Sequence, residues 1–135
     1  FMILPTGNSL PKKIGFYALF FAYFSGGINH FVQPEIYWPL MPPYLVYIKE
    51  LNLLSGLAEI ILSLGLLFQV TRKWTVYGII LMLIAFLPAH VYFIEMGSCI
   101  SKSMCFDPWV AWVRLIVIHP MLIYWAFVYR NYTVK

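Results

Sequence analysis

One stretch, residues 52–70 (NLLSGLAEIILSLGLLFQV), limits what this chain can fold into more than any other. It is long and apolar enough to cross a bilayer, yet it carries a carboxylate, Glu59, well inside. An acid at mid-helix costs about 2.5–3.5 kcal/mol to insert, and each Leu or Ile returns only about 0.3–0.6 kcal/mol. The surrounding Leu and Ile can carry one Glu into lipid, provided that it faces protein. Asn52, Ser55, Gly56, Glu59 and Ser63 recur at three- and four-residue spacing, which sets them on one helical face. A stripe of small and polar residues lets membrane helices approach closely. Glu59 is therefore expected at the centre of a polar cluster inside a helical bundle.

The rest of the chain agrees. Of 135 residues, 62% are hydrophobic and 10% charged, and the mean hydropathy is +0.81. A soluble domain of this size has too little interior to hide that much apolar surface. The apolar runs are continuous rather than alternating, which favours helices over a barrel. Four spans are read at residues 14–32, 52–70, 74–93 and 108–129, in a single membrane domain covering 1–135. The first is rich in Phe and Tyr and ends in Gly26-Gly27-Ile28-Asn29-His30-Phe31. Residues 33–51, rich in Pro and aromatics, suit the headgroup level, either as an aromatic belt or as a lid over a ligand site. Thr71-Arg72-Lys73 reads as a tight basic turn, and Pro88 should kink the third span. Residues 1–11 read as an interfacial leader without the order of a signal peptide. Phe1 is no initiator, which places the natural start at Met2 or upstream.

The net charge of +4 lies mostly at span ends, where it orients a membrane protein rather than binding nucleic acid. Lys12, Lys13, Arg72, Lys73, Arg130 and Lys135 share one side with no acid; Lys49 and Lys102 face Glu35, Glu50, Glu95 and Asp107 on the other. The basic side, with both termini, is expected in the cytoplasm. Cys99 and Cys105 then fall outside, where a structural disulfide can persist; two free thiols or a working redox pair are the alternatives.

Each span contributes an ionisable group. At about 1.5 Å per residue, Glu59 lies roughly 10 Å and Arg114 roughly 9 Å from the outer ends of their spans. His30 and His90 lie near outer ends and His119 near the midplane. Groups so costly in lipid should converge, with Glu59 and Arg114 the expected pair, either as a clamp or as the wall of a ligand pocket. Asn29, His30, Glu59, His90, Arg114 and His119 are the candidate ligand-binding residues. Arg114 and His119 are five apart, so a regular helix points them about 140° from one another. Only a distortion near Pro120 lets both face one pocket. His30 and His90 also raise bis-His haem ligation. No zinc-type cluster, nucleotide loop or serine nucleophile motif is present, so no catalytic residue is assigned.

Gly27-Ile28-Asn29-His30-Phe31 with Pro34, Met41-Pro42-Pro43-Tyr44-Leu45, Leu54-Ser55-Gly56-Leu57-Ala58-Glu59-Ile60 and Phe86-Leu87-Pro88-Ala89-His90 together resemble the DoxX-like membrane proteins. The resemblance runs from the first span to Trp125 and carries over to His30, Glu59, Pro88 and Arg114. His90 stands where members commonly have Asn, and His119 where Gln is common. The resemblance implies a four-helix bundle of the bacterial inner membrane. Its founding member is linked to a thiosulfate:quinone oxidoreductase, and some distant relatives act as assembly factors. Two functions are therefore expected. One is an accessory or assembly subunit of a larger membrane complex, without catalysis of its own. The other is a redox-linked protein holding a quinone headgroup in an outer-half pocket around Glu59 and Arg114.

Overall fold

The computed structural model describes residues 10–101 and 104–133. The expected leader up to residue 9, Lys102 and Lys135 lie outside the described residues. Helix α1 runs Leu10–Val32, with Pro11 in its first turn, where a missing N–H costs nothing. Pro34 disfavours helix at the residue before it. Gln33 accordingly sits at φ −131°, ψ 61° and ends α1. Two 3-10 turns follow, Pro34–Ile36 and Trp38–Leu40, each with a proline in its first two positions. Helix α2, Ile48–Leu67, starts earlier than the expected residue 52. It is preceded by Tyr47 in the left-handed region (φ 59°, ψ 47°), which costs a bulky residue about 1–3 kcal/mol.

A single extended residue, Phe68, separates α2 from α3, Gln69–Ala85. Thr71, Arg72 and Lys73, expected as the turn, thus lie within the start of α3; the break falls earlier because Phe68 leaves helical geometry. Their side chains still finish α2. Thr71 Oγ1 donates to Gly65 O (2.8 Å), Arg72 Nε to Leu66 O (2.7 Å) and Arg72 Nη2 to Leu67 O (3.3 Å). These carbonyls have no partner within the helix. Arg72 Nη1 also donates to Tyr132 O at 2.6 Å, and the guanidinium lies 4.8 Å from the centre of the Phe16 ring. Arg72 was expected as an orienting cation in a basic turn between spans. At 3% exposure it is instead an internal fastener joining α1, the α2 end and the C-terminal segment.

Phe86 interrupts the third hydrophobic segment, and Pro88 falls in the first turn of α4, Leu87–Glu95. The helix is thus interrupted at Phe86, two residues before the proline at which a kink was expected. Gly97 (φ 91°) and Ser98 (φ 61°) lead into a hairpin of β1, Cys99–Ser101, and β2, Met104–Cys105, closed by a Cys99–Cys105 disulfide. The last segment is α5, Pro108–Val113, one π-turn, Arg114–Ile118, and α6, His119–Phe127.

The fold is mostly helical, and three helical segments are long and apolar enough to cross a membrane: Ile48–Leu67, Gln69–Glu95 and Pro108–Phe127. Helix α1 has the length, at 23 residues, but its tyrosines, glycine pair, Asn29 and His30 make it less apolar than those three. Leu53, Leu54, Leu57, Ile61 and Leu64 stand exposed on α2, as do Leu81, Ile84, Ile116, Val117 and Met121 elsewhere. That outward apolar surface fits lipid as the solvent. Inside, Phe16, Leu19, Leu66, Val76, Ile79, Leu83, Ala126 and Tyr129 form the core toward the end where α1 begins and α6 finishes. Tyr129 OH donates to Lys12 O there (2.8 Å) and Trp125 Nε1 to Gly15 O (3.1 Å). Helices α1 and α2 cross at Gly27 and Gly56. A Cβ on Gly27 would come within 2.8 Å of Gly56 O, and one on Gly56 within 2.9 Å of Gly27 O. Small residues here let the two backbones touch.

Candidate functional site

The close α1–α2 crossing sets the polar groups at the other end of the bundle. Asn52, Gly56, Glu59 and Ser63 form the buried face of α2, with Ser55 half-buried beside them. His30 on α1 faces them. Asn52 Nδ2 donates to His30 O (3.0 Å), and His30 Nδ1 lies 2.6 Å from Asn52 Oδ1. A carbonyl oxygen only accepts, so Nδ1 carries the hydrogen. The clasp leaves His30 Nε2 turned toward Glu59 Oε1, 3.8 Å away. Gly26 makes room for the carboxylate, since a Cβ there would lie 3.0 Å from Glu59 Oε2. Tyr37 stacks on the other face of the His30 ring (centres 3.8 Å apart, planes at 16°) and accepts a hydrogen bond from Asn29 Nδ2 at 2.8 Å.

Glu59 thus pairs with His30. The expected Glu59–Arg114 ion pair does not form: no carboxylate lies within 4.0 Å of Arg114 among the described residues, and its guanidinium sits 5.6 Å from the centre of the Phe93 ring. The two groups instead face a common space. Two adjoining cavities, of about 230 and 280 Å³, share Gly26, Glu59, Phe86, His90 and Arg114 as walls. The first continues to His30, Tyr37, Leu40 and Met41, and the second to Tyr23, Leu83 and His119.

The π-turn explains how Arg114 and His119 reach one cavity. His119 N–H bonds Arg114 O, five residues back, so one extra residue fits into the turn. This is the distortion that the five-residue spacing demanded, placed just before Pro120. His119 Nε2 then meets Leu83 O at 2.6 Å, and its ring lies edge-on to His90 with centres 4.7 Å apart. The Leu83 carbonyl is next to that of Ile84, to which Pro88, having no N–H, cannot donate.

Of the six candidates, His30, Glu59, His90, Arg114 and His119 line the cavities, while Asn29 positions Tyr37 from behind. Three residues outside that set join them: Asn52, Tyr37 and Tyr23. Tyr23 OH is buried with no hydrogen-bond partner among the described residues. Its spacing from Gly26, Gly27 and His30 puts it on the same α1 face, a signal readable in the sequence. The His30 ring is clasped at Nδ1 and stacked on Tyr37, and its Nε2, the nitrogen that haem iron would use, faces Glu59. Among the described residues, no group of three or more His, Cys, Asp or Glu could hold a metal ion.

Residues 19–130 match the family model described as Domain of unknown function (DUF8561). No curated protein and no solved structure matches the chain significantly.

Proposed function

We propose that this chain, which belongs to the DUF8561 family, is a four-span, DoxX-like membrane protein that binds a quinone headgroup between its helices as an accessory subunit of a larger membrane complex. The fourth span in this reading is α1. The membrane is the bacterial inner membrane, with both termini in the cytoplasm.

The observation that carries the reading is a mismatch of donors and acceptors. Tyr23 OH is buried without a partner, and Arg114 faces the same cavity without a carboxylate. An unmet buried donor costs about 1–3 kcal/mol, so the site favours a ligand offering acceptors. The carbonyl oxygens of a quinone ring meet that need, and the apolar surroundings of Leu83, Phe86 and Leu122 suit its ring. Glu59, held by His30, can carry a proton at the cavity wall. The carbonyl-bearing ligand is held by this chain and turned over by the complex it joins.

Decylubiquinone binding to the detergent-purified chain tests this. Tyr23→Phe removes one donor to the ligand and should weaken binding about fivefold to tenfold, the worth of about 1 kcal/mol or slightly more. The same variant removes an unmet buried hydroxyl, so without ligand it should be at least as stable as the parent. Undiminished binding in both Tyr23→Phe and Arg114→Gln would sink the proposal.

A further inference from the structure

The cavity of about 280 Å³ has walls of opposite hydrogen-bonding sense. Arg114 can only donate, and an ionised Glu59 can only accept. Tyr23 OH, buried without a partner, adds a donor. Glu59 Oε1 is turned to His30, and Oε2 lies beside Gly26, a wall of both cavities. A ring carrying two oxygens on opposite sides can meet both kinds of wall. Resting on the quinone reading of this cavity, we propose that Glu59 and His30 distinguish the redox forms of the ring. The hydroquinone binds as it stands, and the oxidised quinone binds together with one proton, taken from solvent onto the Glu59–His30 pair.

Two observations carry this. The clasp directs the Nδ1 hydrogen of His30 to Asn52 Oδ1, so in the neutral ring Nε2 keeps a lone pair facing Glu59 Oε1 at 3.8 Å. Two facing lone pairs repel until a proton lies between them, which makes the pair a holder of one proton. Arg114, in turn, does not neutralise the carboxylate, since no carboxylate lies within 4.0 Å of it among the described residues. The titratable and charged groups around Glu59 are Tyr23 and His30 on α1, Tyr37 over the His30 ring, His90 on α4, Arg114 in the π-turn and His119 on α6. His119 Nε2 is taken by Leu83 O, and a neutral His90 offers one donor and one acceptor, so neither separates the two forms. The carboxylate does. A hydroquinone O–H donates to ionised Glu59, whereas a quinone carbonyl turns lone pairs toward it and is accepted once Glu59 carries the proton. One proton enters with the quinone, and no electron moves.

Isothermal titration calorimetry of the full chain in detergent tests this between about pH 5 and 9, with decylubiquinone and, under argon, decylubiquinol. Repeating each titration in buffers of different ionisation heat counts the protons taken up. Above the pH at which the free pair loses its shared proton, decylubiquinone affinity should fall about tenfold per pH unit with one proton taken up, while decylubiquinol affinity stays level. Glu59→Gln, whose amide both donates and accepts, should bind the two forms alike at every pH with no uptake. A decylubiquinone affinity that stays level with pH, or uptake that persists in Glu59→Gln, would overturn the proposal and leave the quinone reading standing. Binding of neither form at any pH would remove the quinone reading itself, and this proposal with it.

Discussion

Substituting Gly56 by Ala tests whether the α1–α2 crossing is what assembles the site. A Cβ at Gly56 would lie 2.5 Å from His30 Cβ, 2.9 Å from Gly27 O and 3.1 Å from Phe31 Cε2. Carbon atoms in contact prefer about 3.5–4.0 Å, so the shortfall is roughly 1 Å. Two of the three obstacles are backbone or Cβ atoms, which no rotamer change can move. The helices must part, and a parting of about 1 Å stretches the 2.6 Å His30–Asn52 contact beyond hydrogen-bond range. Overpacking of this kind costs about 1–3 kcal/mol, and the lost buried hydrogen bond about 1 kcal/mol more. Ala returns about 1 kcal/mol of helix propensity. The net loss is about 1–3 kcal/mol. Gly78 is the control, because a Cβ there meets only Leu62 Cδ2, the end of a flexible side chain, at 2.8 Å. Gly78→Ala should be nearly neutral, as a rotamer cost of about 1 kcal/mol offsets the same propensity gain. Unfolding by dodecyl sulfate titration, followed by tryptophan fluorescence, reads both. If Gly56→Ala proves as stable as Gly78→Ala and binds decylubiquinone like the parent, the crossing does not set the site.

Arg72→Lys keeps the charge but replaces a fork that reaches Leu66, Leu67 and Tyr132 carbonyls with a single ammonium. At least about 2 kcal/mol of unfolding free energy should be lost in the same titration, against less than about 0.5 kcal/mol for the exposed Lys73→Gln. Equal small effects would mean that Arg72 is only an orienting cation. Opening the Cys99–Cys105 bridge frees a closed loop with a sequence separation of 6, for which chain entropy gives about 2 kcal/mol. Reduction with a phosphine should lower the unfolding midpoint accordingly, and an unchanged midpoint would show that the hairpin folds separately from the bundle.

Much of this arrangement was legible in the chain because lipid leaves few places for polar atoms. The α2 stripe of Asn52, Gly56, Glu59 and Ser63 is the buried face. The span with Pro88 breaks near it, and the ionisable residues of all four hydrophobic segments converge. Rotation about the helix axes was not legible. Depth alone matched Glu59 with Arg114, whereas the glycine crossing brings His30 closer and the π-turn turns Arg114 toward the cavity from the opposite wall. The identity of Arg72 as a fastener depends on Phe68 breaking the chain one residue after α2, which no local composition signals. Tyr37 sits among many aromatics of the 33–51 segment, and only its stacking on His30 separates it from a headgroup belt.

The π-turn makes the site a matter of winding. An α-helix advances about 100° per residue, so the same five-residue spacing wound as a regular helix would turn the guanidinium about 140° from His119, and the π-turn takes up that difference. Removing one residue between Arg114 and His119 would restore a regular helix with a four-residue spacing, about 40° apart, and keep the pair on one side. Length, hydrophobicity and membrane insertion would hardly change. A single-codon deletion could therefore erase the π-turn and spare the pocket, so a four-residue spacing on a regular helix and a five-residue spacing on a π-turn are two windings of one site.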